Sequence, residues 1–313
     1  MVITMIIAQD DAGRRLDRIL RKALPDLPLS ALHRLLRKKQ VLVDGTPAGA
    51  SVRPKAGSRI TVPTEAAPVS LFPPVSPLAY QPSVPVPILW EGMGALALNK
   101  PAGLAVHGPA SLETMVRTYL AKRLPPSLSF RPGPMHRLDT PTSGIILFST
   151  TLKGAQYFSA LIRERQVKKQ YLALVDGNLR APTRWEDMLI RDRSAGKTRV
   201  AEEQDGAAQD AETAVFPLAA ASGYSLILAA IHTGRTHQIR AQAAFHGHPL
   251  AGDRKYGGSF QPGGLLLHAY TLEFPAAGDT KGLGLPEILK APLPDAFRMR
   301  IGELFGRPLT QIW

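Results

Sequence analysis

The chain has 313 residues, with 38 Lys and Arg against 25 Asp and Glu, which gives a formal net charge of +13. A charge this positive favours an anionic partner, nucleic acid ahead of an acidic membrane surface, although a basic protein without such a partner would show the same balance. The absence of cysteine excludes disulfides, thiolate chemistry and cysteine metal sites. The start of the chain lacks a basic leader and no apolar run approaches bilayer length, so we expect a cytoplasmic protein with no membrane association.

Two short amphipathic helices with basic outer faces are predicted near the amino terminus. Ser30 is predicted to cap the second of them. The inward residues recur at helical spacing: Leu16, Ile19, Leu20, Ala23 and Leu24 in the first helix, and Leu32, Leu35 and Leu36 in the second. The basic residues that we expect to contact RNA phosphates are Arg14, Arg15, Arg18, Arg34, Arg37, Lys38 and Lys39.

A small sheet is predicted to follow these helices. An apolar run at 41–43 enters an Asp44-Gly45 turn typical of a hairpin, and 57–62 supplies a closing strand. Two basic helices on a small sheet resemble the αL RNA-binding module of a small-subunit ribosomal protein, which makes residues 1–62 an RNA-binding domain. The alternative is a solvated basic helical hairpin with no RNA partner.

Residues 63–87 are predicted to form a linker. The segment is rich in proline, has few charges and shows no sustained periodicity, which disfavours helix and central strand and favours an extended, semi-stiff chain. Residues 88–313 then form the larger domain, which begins with predicted strands at 88–91 and 95–100.

An acidic residue at the mouth of a buried strand is the most informative feature of the larger domain. His136 and Arg137 precede Asp139 and place donor groups beside it, while Pro141, Ser143 and Gly144 form a tight bend before an apolar run. For an isolated Asp in such a bend, an ordinary turn-capping role is the commoner interpretation.

The rest of the domain alternates predicted strands and helices. A helix at 154–165 leads into a strand at 167–177 that contains Tyr171, and the polar stretch 191–211 is predicted to be a mobile hairpin or loop on the RNA side. Strands follow at 211–216 and 224–230. Gly234 is then predicted to open a helix that contains Arg240.

Four histidines between His232 and His248 invite a metal hypothesis. No carboxylate joins them at the spacing of a zinc site, and Arg235 and Arg240 would repel a cation, so we expect no metal.

The string His136-Arg137-Leu138-Asp139, followed by Thr-Ser-Gly, resembles the signature of the RluA-type RNA pseudouridine synthases. Further motifs of that family recur in its order over residues 84–275. They are Asn99-Lys100-Pro101-x-Gly103, Lys169-x-Tyr171-x-Ala173-x-Val175-x-Gly177, Thr233-Gly234-Arg235-Thr236-His237-Gln238-Ile239-Arg240 and Leu267-His268-Ala269. Gln242 stands where the family often has His.

The resemblance implies an α+β fold, with a long mixed, mostly antiparallel sheet, flanking helices and a central cleft. It implies that Asp139 is the essential carboxylate, that Tyr171 stacks on the target base with a later role in proton removal, and that Arg240 pairs with Asp139. A guanidinium beside a carboxylate favours its ionised form and fixes its direction. Arg137 and His136 are expected to bind substrate, with Arg137 holding the flipped-out state, and Leu267 to close the pocket.

The expected activity is the isomerisation of uridine to pseudouridine in structured RNA, with no cofactor, by a monomer. Large-subunit ribosomal RNA, free or within an assembling subunit, is the expected substrate because of the αL module. Transfer RNA is the alternative substrate. A non-catalytic RNA-binding or ribosome-assembly factor on the same fold is the alternative of a different class.

Overall fold

The computed structural model describes residues 2–63, 86–92, 94–121, 123–124, 126–202, 205–275 and 285–306. The helices are α1 (Leu16–Ala23), α2 (Leu29–Arg37), α3 (Leu112–Ala121), α4 (Leu152–Arg163), α5 (Gln238–Phe245) and α6 (Asp295–Phe305). The strands are β1 (Val2–Ile6), β2 (Leu42–Val43), β3 (Thr46–Pro47), β4 (Arg59–Pro63), β5 (Ile88–Glu91), β6 (Ala95–Lys100), β7 (Gly133–Pro134), β8 (Ser143–Ser149), β9 (Lys168–Asp176), β10 (Thr183–Asp192), β11 (Lys197–Val200), β12 (Gln209–Ala221), β13 (Tyr224–Ile231), β14 (Leu267–Glu273) and β15 (Ile288–Lys290).

The amino-terminal residues form a small antiparallel sheet with strand order β1-β4-β2-β3, against which α1 and α2 pack. The predicted hairpin is confirmed, and its turn has positive φ at both Asp44 (50°) and Gly45 (80°), the geometry that right-twisted hairpins favour. Strand β1 was not predicted. It contributes Met5 to a core shared with both helices.

The predicted cap at Ser30 is wrong. Helix α2 already begins at Leu29, the residue before Ser30, with Pro28 at the N-cap position and no capping hydrogen bond from a side chain. Proline suits the start of a helix because its φ is already fixed near the helical value and it has no N–H group that needs a partner. Ser30 therefore lies exposed within the first turn.

The larger sheet has the strand order β11-β10-β12-β13-β9-β14-β8-β6-β5 within the described part of the chain, with β15 added beside β14 and β7 beside β8. The pairing of β14 with β8 is parallel, and the other named pairs are antiparallel. The predicted mixed, mostly antiparallel sheet is thus confirmed.

Helices cover both faces of this sheet, which explains why its central strands are apolar without interruption. On one face, α3 and α5 pack over the side of β9 that carries Tyr171 and Ala173. On the opposite face, α4 packs on β8 and α6 packs on the side of β9 that carries Leu172 and Leu174. Every residue of β8 is buried, because both of its faces meet apolar side chains.

The sequence interpretation omitted α3, α6, β7, β10 and β15, and it placed the start of α4 two residues late. Helix α4 begins at Leu152 because the hydroxyl of Thr151 accepts a hydrogen bond from the Gly154 N–H and caps the first turn. Residues 64–85 of the predicted linker lie outside the described residues, so the boundaries 1–62, 63–87 and 88–313 remain predictions. Among the helices in the described ranges, none is long and apolar enough to cross a membrane.

Gly144 is fixed as glycine by the parallel pairing of β8 with β14. Its φ is +111°, and a Cβ placed there would lie 2.2 Å from the carbonyl oxygen of Ala269 and 2.6 Å from its nitrogen. Gly144→Ala is therefore expected to lower the free energy of unfolding by about 3 kcal/mol or more, as overpacking and backbone strain add. Urea unfolding measures the change. Gly49→Ala is the matched control, because no atom lies within 4 Å of the added carbon there. Equal stabilities of the two variants would contradict the prediction.

Candidate active site

Asp139 lies in the loop between β7 and β8, and hydrogen bonds from buried groups of the segment 100–103 fix the position of this loop. The carbonyl of Thr140 accepts hydrogen bonds from the Lys100 ammonium (3.0 Å) and from the Gly103 N–H (2.9 Å). Lys100 is fully buried and also donates to the carbonyls of Pro101 and Leu104. Burial lowers its pKa to about 8, against the opposing charge of Asp139. The motif at 99–103 thus fixes the loop that carries Asp139.

A chain of two carboxylates and one guanidinium forms the centre of the site. Arg240, on α5, donates from Nη1 to Oδ2 of Asp139 (3.2 Å) and from Nε and Nη2 to the two oxygens of Asp253 (2.7 and 2.8 Å). Burial disfavours the charge of Arg240, but the hydrogen bonds to Asp253 and the charges of both carboxylates outweigh it and raise its pKa. The hydrogen bonds to Asp253 orient the guanidinium of Arg240, and the guanidinium in turn orients the carboxylate of Asp139.

His237 lies on the other side of Asp139, with Nε2 at 3.7 Å from Oδ2. Its Nδ1 lies 2.8 Å from the hydroxyl of Tyr256. Burial lowers the pKa of His237 to about 4, against the charge of Asp139, so the ring is neutral near pH 7. The Tyr256 hydroxyl accepts from the Thr198 N–H (2.8 Å) and donates to the Thr198 carbonyl (3.0 Å), so it is held in place and positions the ring of His237 beside Asp139.

The backbone conformation of His237 is left-handed (φ 55°), which allows the turn at 233–237 to enter α5. The side chain of Gln238 stabilises this turn, because its Oε1 accepts from the Arg235 N–H and the Thr233 hydroxyl while its Nε2 donates to the Glu212 carbonyl. The predicted helix after Gly234 is confirmed, and this side-chain network explains where it begins.

The cleft above Asp139 is open to solvent, has a volume of about 620 Å³ and has a mixed lining. Tyr171 and Leu267 supply buried apolar surface from the adjacent strands β9 and β14. Burial, assisted by the charge of Asp139, raises the pKa of Tyr171, so its phenol stays protonated. Lys169 also lines the cleft, and burial lowers its pKa. The cleft therefore combines one carboxylate with an apolar floor and cationic groups.

Arg137 and His136 occupy different positions at this cleft. Arg137 is exposed at the rim, where it lines the cleft together with Asp139. The ring of His136 turns inward, and its Nε2 accepts a hydrogen bond from the Leu147 N–H (3.0 Å). Burial and the nearby charge of Lys169 lower the pKa of His136 to about 3. A hydrogen bond to the backbone of Arg137 opposes this shift.

The predicted RNA-contacting residues of the amino-terminal helices divide into two groups. Arg18, Arg34, Arg37, Lys38 and Lys39 are exposed. Arg14 and Arg15 are half-buried, and each has a protein partner: Arg14 donates to the Ser129 hydroxyl (2.6 Å), and Arg15 pairs with Asp17 (2.9 Å).

The four histidines between His232 and His248 do not converge. His237 contacts Tyr256, His246 stacks on Trp185 and pairs with Asp187, and His248 lies 3.0 Å from the Asp176 carbonyl. Across the described ranges, no group of three or more His, Asp or Glu side chains could hold a metal ion.

Buried His268, beneath the cleft, makes stability depend on pH. Its Nδ1 lies 2.8 Å from the Ser143 hydroxyl and its Nε2 3.3 Å from the Ala291 carbonyl, so the neutral ring satisfies both. Burial lowers its pKa to about 4, although the bond to Ala291 opposes this. Between pH 6.5 and 4 the unfolded chain therefore binds a proton at this residue that the folded chain does not, and stability falls as the pH falls.

Over that range His268 is expected to contribute a loss of about 3 kcal/mol. Urea unfolding at pH 7 and pH 4.5 of the wild type and of His268→Gln measures it, since Gln can accept and donate at the same two positions but does not titrate. The wild type should lose more stability on acidification than the variant. Parallel losses would contradict the assignment.

The structure places Asp139, Arg240, Tyr171 and Leu267 around one cleft, and their roles stay predictions from the resemblance. The sequence interpretation assigned no role to Asp253. Residues 252–257 are mostly polar and resemble an exposed loop, so nothing local marks Asp253 as buried. It also missed that His237 faces Asp139.

Three comparisons bear on this arrangement. A family model described as RNA pseudouridylate synthase matches residues 95–245, a range that includes Asp139, Tyr171 and Arg240. The chain is 32% identical over 302 residues to "Ribosomal large subunit pseudouridine synthase C" of Vibrio cholerae, covering 93% of this chain and 94% of that protein. It is 34% identical over 307 residues to the protein of the same name from Pasteurella multocida, covering 90% and 89%.

Solved structures of similar fold agree with the architecture described above. "Human RNA Pseudouridylate Synthase Domain Containing 4" aligns with a TM-score of 0.57 at 25% identity, covering 69% of this chain and 92% of that one. "Human RNA Pseudouridylate Synthase Domain Containing 1" aligns with the same TM-score at 23% identity, covering 73% and 93%, and shares the fold.

Proposed function

The chain belongs to the RNA pseudouridylate synthase family, and from this premise we propose that it isomerises uridine to pseudouridine in large-subunit ribosomal RNA, with Asp139 as the essential carboxylate. The observation that carries the proposal is the position of Asp139, held by Arg240 at the base of a cleft with the apolar surface of Tyr171 and Leu267. The relatives from Vibrio cholerae and Pasteurella multocida, both named for the ribosomal large subunit, support the choice of RNA.

The reaction breaks the bond between C1′ of the ribose and N1 of uracil, turns the base, and joins C1′ to C5. The C5 proton leaves and N1 gains a proton, so no electron donor or acceptor is needed. Three routes use a single carboxylate: Asp139 attacks the sugar, attacks the base, or removes a proton from the sugar. In each of them the carboxylate acts in its ionised form, and the adjacent guanidinium of Arg240 fixes its direction.

Tyr171 and Leu267 are assigned to the uracil ring. A base that leaves its stack needs a new apolar surface, and an aromatic ring is well suited to supply one. The raised pKa of Tyr171 means that phenolate is scarce near pH 7, which supports a stacking role ahead of proton removal. Arg137, exposed at the rim, is assigned to hold the flipped-out nucleotide.

The amino-terminal helices are assigned to the RNA backbone. The exposed residues Arg34, Arg37, Lys38 and Lys39 are suited to phosphate contacts that do not depend on sequence. A protein that acts on ribosomal RNA, free or in an assembling subunit, would work in the cytoplasm. Transfer RNA is the second candidate substrate, and a non-catalytic ribosome-assembly factor is the alternative of a different class.

Tritium release tests this proposal directly. Large-subunit RNA and bulk transfer RNA, both unmodified and labelled at C5 of uracil, are incubated separately with the protein. Release from the large-subunit RNA is expected, since C5 loses its hydrogen when it joins the sugar. Faster release from transfer RNA would make transfer RNA the substrate in place of large-subunit RNA. Tight binding of both RNAs without release would favour the assembly factor.

A further inference from the structure

A buried aspartate joins the amino-terminal unit to the larger one. Asp11 is fully buried and accepts hydrogen bonds from the Ser127 hydroxyl (2.8 Å), the Leu128 N–H (2.8 Å) and the Ser129 N–H (2.9 Å), as well as from the Ser129 hydroxyl. Each of these donors lies more than 110 residues further along the chain. A buried carboxylate with this many donors is strongly anchored, because moving it would leave a charge without partners.

Two neighbouring contacts reinforce this anchor. Arg14 donates to the hydroxyl and the carbonyl of Ser129, and Asp10 accepts a hydrogen bond from the Leu152 N–H at the start of α4. Leu128 packs against the apolar core that α1 and α2 share with the small sheet. The two units are therefore docked at residues 127–129, in addition to their covalent connection.

The docking creates a groove with one wall from each unit. Its volume is about 2050 Å³, more than three times the 620 Å³ of the cleft at Asp139, so it fits a stretch of nucleic-acid backbone better than a single base. One wall is α1 with the loop that follows it, and the other is the segment 128–131 with α3. Six basic residues and one acidic residue, Asp26, line it; the basic ones are Arg14, Arg18, Arg21, Lys22, Arg117 and Arg131.

The second wall leads directly to the active site. The same segment continues from Arg131 through β7 to Arg137 and Asp139. Eight residues of extended chain span at most about 29 Å, so the groove lies within a few nucleotides of the cleft. A strand of RNA held in the groove could therefore reach Asp139 with its target uridine.

Resting on the function proposed above, we propose that this groove binds the RNA backbone beside the target uridine, and that Asp11 holds its two walls at a fixed spacing. The larger unit then contributes Arg131 to RNA binding, in addition to the basic face of the amino-terminal helices. Arg117 beside it contributes less, because it is paired with Glu113 (2.6 Å). Phosphates between the walls meet both sets of charges at once, which gives higher affinity than either wall alone.

The test measures the dissociation constant for large-subunit RNA as a function of salt, with the full chain. Arg131→Gln should lower the salt slope by about 0.7 to 0.9, and the pair Arg18→Gln with Arg21→Gln by about twice that, as expected for one phosphate contact per residue. Arg298→Gln is the control, since Arg298 is an exposed arginine on α6, on the sheet face opposite the cleft. An effect of the α1 pair with none from Arg131→Gln would overturn the two-walled groove.

The anchor is tested by Asp11→Asn, which keeps every basic residue but turns an amide toward N–H donors. RNA affinity should fall at least about tenfold at physiological salt, since the two walls no longer act together. Ser129→Ala removes part of the anchor from the other side and should shift affinity in the same direction, by less. Circular dichroism checks that both variants are folded. Unchanged affinity in a folded Asp11→Asn protein would overturn the role of Asp11.

The outcomes separate this inference from the proposed function. If the wild type releases tritium but the groove variants bind RNA as Arg298→Gln does, the groove does not bind RNA and the proposed isomerase function is unaffected. If the variants show the expected salt slopes but no RNA releases tritium, the groove binds RNA and the isomerase assignment is wrong.

Discussion

Asp139→Asn is expected to lower the rate of tritium release by at least about 10⁴-fold, a loss typical of a missing catalytic nucleophile. The variant keeps the size of the side chain and an oxygen that can accept from Arg240, and Arg240 retains its two bonds to Asp253. Its free energy of unfolding should therefore change by no more than about 2 kcal/mol. RNA affinity should remain close to that of the wild type, because the phosphate contacts lie on other residues.

The matched control for this variant is Asp295→Asn. Asp295 is exposed on α6, on the sheet face opposite the cleft, and the same chemical change there should leave release unaffected. If Asp139→Asn released tritium at a rate within tenfold of the wild type, Asp139 would not be the essential carboxylate.

Arg240→Gln is expected to damage stability as well as activity. The change leaves the buried carboxylate of Asp253 without the guanidinium that now binds both of its oxygens, and it leaves Asp139 nearby with the same charge. Breaking a buried ion pair from one side costs about 3 to 5 kcal/mol. Protonation relieves an unpaired carboxylate, so the loss of unfolding free energy should be smaller at pH 5 than at pH 8.

A second change separates the two roles of Arg240. Adding Asp253→Asn to Arg240→Gln removes the stranded charge and should recover part of the lost stability. Activity should stay low in this double variant, because Asp139 still lacks the group that aims it. Urea unfolding and tritium release, measured on both proteins, check the pair of expectations. Recovery of activity together with stability would mean that Arg240 acts only through the fold.

The sequence predicted those parts of the site that lie within a motif. The run from His136 to Phe148 showed locally that Asp139 precedes a buried strand, since turn-forming residues and then apolar residues follow it. The meeting of Asp139 with Arg240, 101 residues apart, came from the family resemblance and not from spacing. The strands that were predicted, such as β6, β9 and β13, each have a short apolar run between turn signals.

The unpredicted parts depend on contacts between distant segments. Asp11 and Asp253 lie in polar surroundings along the chain, so only the packing of the fold shows that they are buried. Helices α3 and α6 are a different case, because their apolar residues do recur at helical spacing and the pattern was missed. In α3 these residues are Leu112, Met115, Val116, Tyr119 and Leu120, and in α6 they are Phe297, Ile301, Leu304 and Phe305. Ser30 was a plausible cap by residue type, but Pro28 takes the N-cap position and the helix begins at Leu29.

The parallel pairing of β8 with β14 has a consequence for the order in which the protein forms during translation. Strand β8 ends at residue 149, whereas β14 ends at residue 273, so a growing chain carries β8 and its other neighbour β6 long before β14 exists. The small sheet closes within the first 63 residues and can fold early. A chain truncated after residue 260 should show protease protection in that sheet but not around β8. The cleft at Asp139 therefore lacks the side that β14 supplies until residue 273 has been made, and a shorter chain has no closed pocket beside the ribosome that makes it.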